Sequence, residues 1–262
     1  MKIGVCGGVH DAAVIKKYGY DFIEENFSSI AKLSDAQFET TLAAYSDIGL
    51  PVYSTNGFFP SGFVIYGAGT AALEYARRGL YRAARLGVKV VVIGSGGQRR
   101  VLDRMDKNEC EAEFARLVGG IADEAAKYGI LVSVEPLKYA ETNLINTVSD
   151  GVRIAEMTGR ANVGTMVDFH HFSQNGEDGD EIIGAGRALI HAHIARPNDD
   201  RLIPTGDEDV PVVEKWAKLL GAARYKGRIS LEGFFGDDYE HTLAAAKKIL
   251  APLAAEGEND EV

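Results

Sequence analysis

The sequence predicts an α/β fold in which eight parallel strands and the helices between them close into a single-domain (β/α)8 barrel. Eight short apolar segments rich in β-branched residues alternate with helix-length segments over 262 residues, and roughly 33 residues per unit is typical of such barrels. A glycine repeatedly ends a helix-length segment just before the next apolar run, as left-handed helix-terminating residues do. The first strand is not followed by the G-x-G-x-x-G spacing of dinucleotide-binding sheets. These observations favour a closed barrel over an open doubly wound sheet.

The element boundaries follow in order from the same signals. The strand candidates are residues 2–6, 21–25, 52–55, 89–93, 130–135, 163–168, 190–195 and 228–232. The glycines that end the preceding helices are Gly19, Gly49, Gly87, Gly129, Gly159 and Gly227. Ser34-Asp35 and Asp237-Asp238 mark helix starts before the third strand and after the eighth, because such side chains cap free amide groups. We assign residues 1–255 to the barrel and expect the charged segment 256–262 to be a disordered acidic tail.

Composition and charge exclude several classes of protein. Hydrophobic residues make up 46% and charged residues 25% of the chain, which is typical of a globular domain with a full core. The net charge of −10 repels nucleic-acid phosphates and anionic membranes, so we expect neither as a partner. Apolar stretches are too short for a membrane span and the N-terminus lacks a signal-peptide pattern, so we predict a cytoplasmic protein. Cys6 and Cys110 are too few for a disulfide framework or a Cys-rich zinc site.

Alternation within the last four predicted strands places acids and a histidine at one rim. Residues of one parity are apolar and should pack against the helices, while the other parity faces the barrel interior. The inward-facing sets end at the C-terminal mouth, where barrel enzymes hold their chemistry, in Glu135, Asp168, His193 and Glu232. Either these acids are solvated or cap the next helices, or a cation relieves their mutual repulsion. Three oxygens and one nitrogen suit Mn²⁺, Mg²⁺ or Co²⁺, with Zn²⁺ as an alternative, so the pattern predicts a divalent metal site.

Short motifs follow several of the predicted strands. Residues 134–147 read V-E-P-L-K-Y-A-E-T-N-L-I-N-T. Others are N-G-F-F-P at 56–60, G-S-G-G-Q-R-R at 94–100, V-D-F-H-H at 167–171, H-A-H-I-A at 191–195 and S-L-E-G-F at 230–234. Over nearly the whole chain this set resembles the xylose-isomerase-like TIM-barrel superfamily of sugar isomerases and epimerases. It is most similar to the ketose 3-epimerases related to D-tagatose and D-psicose 3-epimerase, which carry E-P-L-N-R-x-E-x-x-x-x-N-T after the fifth strand.

The resemblance implies a metal-dependent epimerase or isomerase of a ketose or related small sugar, which removes a proton next to a carbonyl and passes through an enediolate. It implies Glu135, Asp168, His193 and Glu232 as ligands of a divalent metal, most often Mn²⁺, with Mg²⁺ or Co²⁺ as alternatives. Glu135 and Glu232 would also form the catalytic acid/base pair. We expect a small-molecule sugar substrate and a homo-oligomer, either a dimer or a tetramer.

The resemblance also implies residues that bind the substrate, namely Glu141, His171 and Arg201. Departures from the family pattern leave the sugar open. Lys138-Tyr139 stands where the family often has Asn-Arg, and Arg196 stands where it often has an acid. An inosose dehydratase-like lyase or a hydroxypyruvate isomerase would use nearly the same metal site. An abasic-site endonuclease, which needs further ligands and a basic DNA face, and a non-catalytic sugar-binding barrel are the remaining alternatives.

Two further features allow two interpretations each. Glu24 and Glu25 end the second strand and either support the metal ligands from behind or lie on the surface. The loop from Gly94 to Gly97 either cradles a phosphate through its backbone amides or only lets the chain turn, with Arg99-Arg100 as a solvated pair.

Overall fold

Eight parallel strands pair in chain order, and the eighth pairs with the first to close the barrel. The computed structural model describes residues 1–198 and 200–255, so the predicted tail at 256–262 lies outside the described residues. The strands are β1 Ile3–Cys6, β2 Phe22–Asn26, β3 Val52–Asn56, β4 Val90–Ile93, β5 Leu131–Val134, β6 Val163–Asp168, β7 Leu189–Ile194 and β8 Arg228–Leu231. The predicted fold class is confirmed, and every predicted strand is present with its ends shifted by at most one residue.

Helices cover the outside of the barrel. They are α1 Ala12–Lys17, α2 Phe27–Lys32, α3 Asp35–Ile48, α4 Gly69–Leu86, α5 Lys107–Ala126, α6 Val148–Thr158, α7 Phe169–Asn175, α8 Gly179–Ala185, α9 Val210–Ala222, α10 Tyr239–Ile249 and α11 Ala251–Ala255. None of the helices in the described ranges is long and apolar enough to cross a membrane.

Most helix boundaries lie where the capping residues predict them. Ser34 caps α3 and Asp238 caps α10, each by accepting a hydrogen bond from a backbone amide in the first turn. Gly49, Gly87 and Gly159 adopt the left-handed conformation at the ends of α3, α4 and α6. These side chains and glycines therefore satisfy the backbone groups that a helix leaves unpaired at its ends.

The prediction for Gly227 is wrong. Helix α9 ends at Ala222, and the residue that takes the left-handed conformation after it is Arg224, with φ of 53°. A Cβ atom on Gly227 would overlap the ring of Tyr225. Glycine is needed here for the close approach of that ring to the backbone, and it does not end the helix.

Strand parity separates the apolar core from the barrel interior. Residues of one parity, including Val132, Val167 and Leu231, join the main core beneath the helices. On the inside, Val90, Val92 and Met166 form a small separate apolar cluster with Tyr53. The buried side chains of Glu24, Ser54, His191, His193 and Ser230, also inside the barrel, are in contact with one another. The alternation predicted for the last four strands is confirmed except at the start of β7, where a register shift places Leu189 instead of Ile190 in the main core.

Candidate metal centre and active site

Four neighbouring strands bring three carboxylates and one imidazole to the C-terminal mouth. Asp168 is the last residue of β6 and His193 lies in β7, while Glu135 and Glu232 immediately follow β5 and β8. The backbone amides of Glu135 and Glu232 still donate to the carbonyls of the adjacent strands, at 3.1 Å each. One ligand atom from each of the four residues lies within 4.8 Å of the other three. The structure thus brings together all four residues that the sequence predicts as ligands.

His193 directs one ring nitrogen at these carboxylates. Its Nδ1 atom lies 3.0 Å from Oε2 of Glu232, 3.5 Å from Oε1 of Glu135 and 3.9 Å from Oδ2 of Asp168. Nδ1 is buried and has no hydrogen-bond partner, whereas Nε2 lies 2.9 Å from a carboxylate oxygen of Glu24. Because an ionised carboxylate only accepts, we infer that Nε2 of His193 carries a hydrogen. Nδ1 is then the ring nitrogen whose lone pair is available to a cation. Three oxygens and this nitrogen form a donor set that fits a divalent cation.

The electrostatic environment gives the four groups different proton affinities. Burial raises the pKa of Glu135. Burial also opposes ionisation of Asp168, but Arg201 and the nearby histidines hold its pKa well below the usual value. For Glu232, His193 and Arg201 outweigh burial and lower the pKa. Burial disfavours a charge on His193, yet Glu232 and Glu24 raise its pKa, so the nitrogen that faces the carboxylates is strongly basic.

Asp168 has two functions in this arrangement. Its Oδ1 accepts hydrogen bonds from the backbone amides of His170, at 2.8 Å, and His171, at 3.2 Å, and so caps helix α7. Its Oδ2 faces His193 and Arg201. The capping alternative from the sequence is therefore correct for Asp168, but it leaves one carboxylate oxygen directed into the cluster.

Arg201 lies against two of the predicted ligands. Its Nη2 atom is 2.6 Å from Oδ2 of Asp168 and 2.5 Å from Oε2 of Glu232. The loop that carries it is tied to the segment after β8, since the amide of Phe234 donates to the Arg201 carbonyl at 2.9 Å. Asn56, at the end of β3, donates to the other oxygen of Glu232 at 2.6 Å. Both oxygens of Glu232 are therefore held in place from opposite sides.

His171, in the first turn of α7, borders the same cluster, and Glu141 lies in the loop after β5. The Nε2 atom of His171 lies 3.6 Å from Oδ2 of Asp168 and 3.4 Å from Nη1 of Arg201, and its Nδ1 is buried without a partner. Glu141 is farther out, with its side chain 39% exposed and Oε1 3.7 Å from Nζ of Lys138. Lys138 in turn lies 3.1 Å from Nε2 of His170. This chain thus places a lysine ammonium beside Glu141, where the family often has an asparagine.

The glycine loop after β4 makes room for the side chain of Glu135. A Cβ on Gly94 would overlap Oε2 of Glu135. The side chain of Arg99 is fully buried, and its Nη2 atom donates to the carbonyl of Glu135 at 2.6 Å. The interpretation of Arg99 as part of a solvated pair is wrong, because its buried guanidinium donates to the backbone carbonyls of Ile93, Glu135 and Ile145.

Glu24 is the one residue of the site whose position the sequence left open. It is fully buried and contacts both His191 and His193, so the surface interpretation of Glu24 is wrong. Glu25 is also buried, but its carboxylate accepts from the hydroxyl of Tyr45, away from the cluster. The only signal available in the sequence was the pair of acids itself at the end of an apolar strand.

Comparisons with known proteins give the same fold. The sequence pattern described as Xylose isomerase-like TIM barrel matches residues 12–252. D-psicose 3-epimerase of Agrobacterium fabrum is 29% identical over 231 residues, which are 84% of this chain and 77% of that protein. Inosose isomerase of Halalkalibacterium halodurans is 24% identical over 95% of this chain and 90% of that protein. A crystal structure of D-psicose 3-epimerase in the presence of D-fructose has a TM-score of 0.82 at 22% identity, covering 96% of this chain and 97% of that chain.

Proposed function

The chain belongs to the xylose isomerase-like TIM barrel family, and from that premise we propose that it is a divalent-metal-dependent epimerase of a ketose or a related small sugar. The observation that carries the proposal is the convergence of Glu135, Asp168, His193 and Glu232 around the unpartnered Nδ1 atom of His193. Similarity to a D-psicose 3-epimerase over most of the chain supports a ketose as the substrate.

The charges of the cluster support a cation as its cofactor. One guanidinium, that of Arg201, does not balance three carboxylates, so further positive charge would stabilise the group. Oxygen donors with a single imidazole suit Mn²⁺, Mg²⁺ or Co²⁺, and we propose Mn²⁺ as the cation. We assign Glu135, Asp168, His193 and Glu232 as the residues that hold it. When bound, the cation would act as a Lewis acid that makes the proton next to a substrate carbonyl more acidic.

Glu135 and Glu232 are the groups to which we assign proton transfer. One carboxylate removes the proton from the carbon next to the carbonyl, and the electron pair of that C–H bond passes into a planar enediolate. The carboxyl group on the other side then donates a proton to the opposite face, which inverts the carbon centre. Because the two residues follow β5 and β8, with two strands between them, they approach a bound sugar from different sides. A single group that removes a proton from the terminal carbon and returns it on the same face to the former carbonyl carbon would instead catalyse aldose–ketose isomerisation.

We assign Glu141, His171 and Arg201 to the sugar hydroxyls. The buried Nδ1 of His171 needs a hydrogen-bond partner, and a hydroxyl group supplies one. Glu141 offers carboxylate oxygens that are partly open to solvent, and the Arg201 side chain is 19% exposed. His171 and Arg201 border the cluster, and Glu141 lies farther out toward solvent.

A panel of substrates in D₂O tests the proposal. The protein is loaded with Mn²⁺ and incubated with D- and L-ketoses, hydroxypyruvate and inososes, and the products are followed by NMR. We expect at least one ketose to gain deuterium at the carbon beside the carbonyl and to convert into its epimer. Asp168→Asn serves as the control, because it removes a proposed ligand. A dehydrated product would identify a lyase, and absence of exchange with every ketose and inosose would overturn the proposal.

A second candidate substrate is a cyclic polyol ketone. The inosose isomerase described above is similar to this chain over 95% of its length. An inosose carries the same carbonyl and adjacent C–H group, so the same pair of glutamates would act on it. Exchange with an inosose but with none of the ketoses would favour this candidate.

A further inference from the structure

A buried carboxylate outside the predicted ligand set lies directly behind His193. Oε1 of Glu24 lies 2.9 Å from Nε2 of His193, and Oε2 lies 2.6 Å from Nε2 of His191. The hydroxyls of Ser54 and Ser230 also donate to Oε2, at 2.7 and 2.5 Å. Side chains from β2, β3, β7 and β8 therefore meet at one fully buried carboxylate.

These four contacts decide which ring nitrogen of His193 carries the hydrogen. An ionised carboxylate has no hydrogen to donate, so each of its four partners must present an N–H or O–H group. Nε2 of His193 is then the protonated nitrogen, and the lone pair lies on Nδ1, which faces Glu135, Asp168 and Glu232. A negative charge behind a histidine also makes the opposite nitrogen a better electron donor.

We propose that Glu24 is a positioning residue of the metal centre, which holds His193 in the tautomer and orientation that direct Nδ1 at the cation. The proposal rests on the proposed function only in taking the cluster as a metal site, and no sugar is needed to test it. The expected size of the effect follows from other metal centres, where loss of such a partner weakens metal binding by about tenfold to a hundredfold.

The neighbouring residue provides a matched control. Glu25 is buried like Glu24 and lies next to it in β2, but its carboxylate accepts from the Tyr45 hydroxyl and from the amide of Asn26. Glu25→Gln therefore makes the same chemical change one residue away, without touching His193. Glu24→Gln keeps the side-chain shape but replaces one carboxylate oxygen with an amide NH₂ group. This NH₂ group faces N–H and O–H groups that donate to Glu24 in the parent, so those hydrogen bonds cannot form unless the partners reorient.

The first experiment measures Mn²⁺ affinity without any sugar. Each full-length protein is titrated with Mn²⁺, and free ion is followed by electron paramagnetic resonance. We expect Glu24→Gln to raise the Kd by about tenfold or more and Glu25→Gln to leave it unchanged. Thermal unfolding of the metal-free proteins shows whether Glu24→Gln lowers stability in general, and so separates weaker Mn²⁺ binding from a general loss of structure. Equal Mn²⁺ affinity in Glu24→Gln and the parent would overturn the proposal.

The second experiment needs no variant, so it decides the matter even where Glu24→Gln fails to fold. The parent is labelled with ¹⁵N-histidine and loaded with diamagnetic Zn²⁺, and the ring nitrogens of His193 are read by NMR. We expect a hydrogen on Nε2 and a metal-shifted Nδ1; a hydrogen on Nδ1 would overturn the proposal. A protein that passes both tests yet acts on no sugar would uphold Glu24 as a positioning residue and contradict the proposed function.

Discussion

His193 and Glu232 approach to 3.0 Å between Nδ1 and Oε2 without the geometry of a hydrogen bond. The register of β7 and β8 explains this contact, because His193 pairs with Ser230 and Glu232 lies two residues farther toward the mouth. The nitrogen and the oxygen therefore both face a shared space between them, which Glu135 and Asp168 also border. A nitrogen and several carboxylate oxygens directed at one point form a donor set of the kind that binds a cation.

We predict that the protein binds one divalent ion per chain through these residues. Asp168→Asn and His193→Ala should each lower Mn²⁺ affinity at least about tenfold, since each removes a donor from the set. In the parent, added Mn²⁺ should raise the midpoint of thermal unfolding, because a ligand that binds only the folded state stabilises it by mass action. Metal analysis after dialysis and calorimetric titration provide the measurements. Full metal occupancy in both variants would remove Asp168 and His193 from the proposed ligand set.

Gly94 should be essential because of the space that it leaves. A Cβ atom at this position would overlap Oε2 of Glu135, so Gly94→Ala must displace that carboxylate. We expect weaker Mn²⁺ binding and a large loss of activity, with the barrel still folded by circular dichroism. Gly97→Ala is the matched control in the same loop, because a Cβ there meets no atom within 4 Å. Equal Mn²⁺ affinity in the two variants would contradict the assignment of Glu135 as a ligand.

Substitutions of Glu141 and His171 should change substrate binding or turnover and leave metal binding unchanged. Glu141→Gln and His171→Ala are expected to raise KM or lower kcat while metal content stays at the parent level, because we assign both residues to sugar hydroxyls. Glu156→Gln, on the exposed surface of α6, is the control and should leave the kinetics unchanged. Parent-like kinetics for Glu141→Gln and His171→Ala on the true substrate would argue against these substrate contacts.

A half-buried glutamate away from the site, Glu177, should make stability depend on pH. Burial raises the pKa of Glu177 from 4.5 to about 7, and its Oε2 accepts from the Val148 amide at 2.8 Å. Between these two values the folded protein keeps a proton that the unfolded chain has released, so stability falls as pH rises through this window. Glu177→Gln should therefore be more stable than the parent at pH 8, with little difference near pH 4. Thermal unfolding across this range measures the effect, and a difference independent of pH would contradict it.

The sequence predicted the residues at the rim of the barrel well because two simple rules determine them. Alternation in the last four strands sets which side chains face inward, and the strand ends set which of them reach the mouth. Glu135, Asp168, His193 and Glu232 follow from these two rules alone, whereas the roles of Glu141 and His171 depended on resemblance.

The supporting residues could not be predicted in the same way. Whether Glu24 is buried as a charge depends on donors from β3, β7 and β8, and these are far apart in the sequence. Arg99 is an equivalent case, because the carbonyls of Ile93, Glu135 and Ile145 that surround its guanidinium are assembled only by the closed fold. Local sequence signals carry no information on such partners, and a charged residue then appears to be a surface residue.

The two glutamates provide the decisive test of the reaction. If Glu135 and Glu232 act on opposite faces of the enediolate, loss of either base must stop net inversion, while the remaining base can still exchange the proton on its own face. Glu232→Gln should abolish epimerisation and leave deuterium exchange for one of the two epimers. Glu135→Gln should leave exchange for the other epimer. NMR in D₂O measures both the epimer ratio and the deuterium content.

Metal occupancy must be measured in each of these variants before the rates are compared, because both glutamates are also proposed ligands. Weaker binding is compensated by excess Mn²⁺, and the rates are then taken at equal occupancy. A metal-loaded Glu232→Gln protein that interconverts epimers at nearly the parent rate would contradict the two-base mechanism. If both variants instead retain exchange for the same epimer, that exchange depends on neither glutamate alone, which would also contradict the assignment of one base to each face.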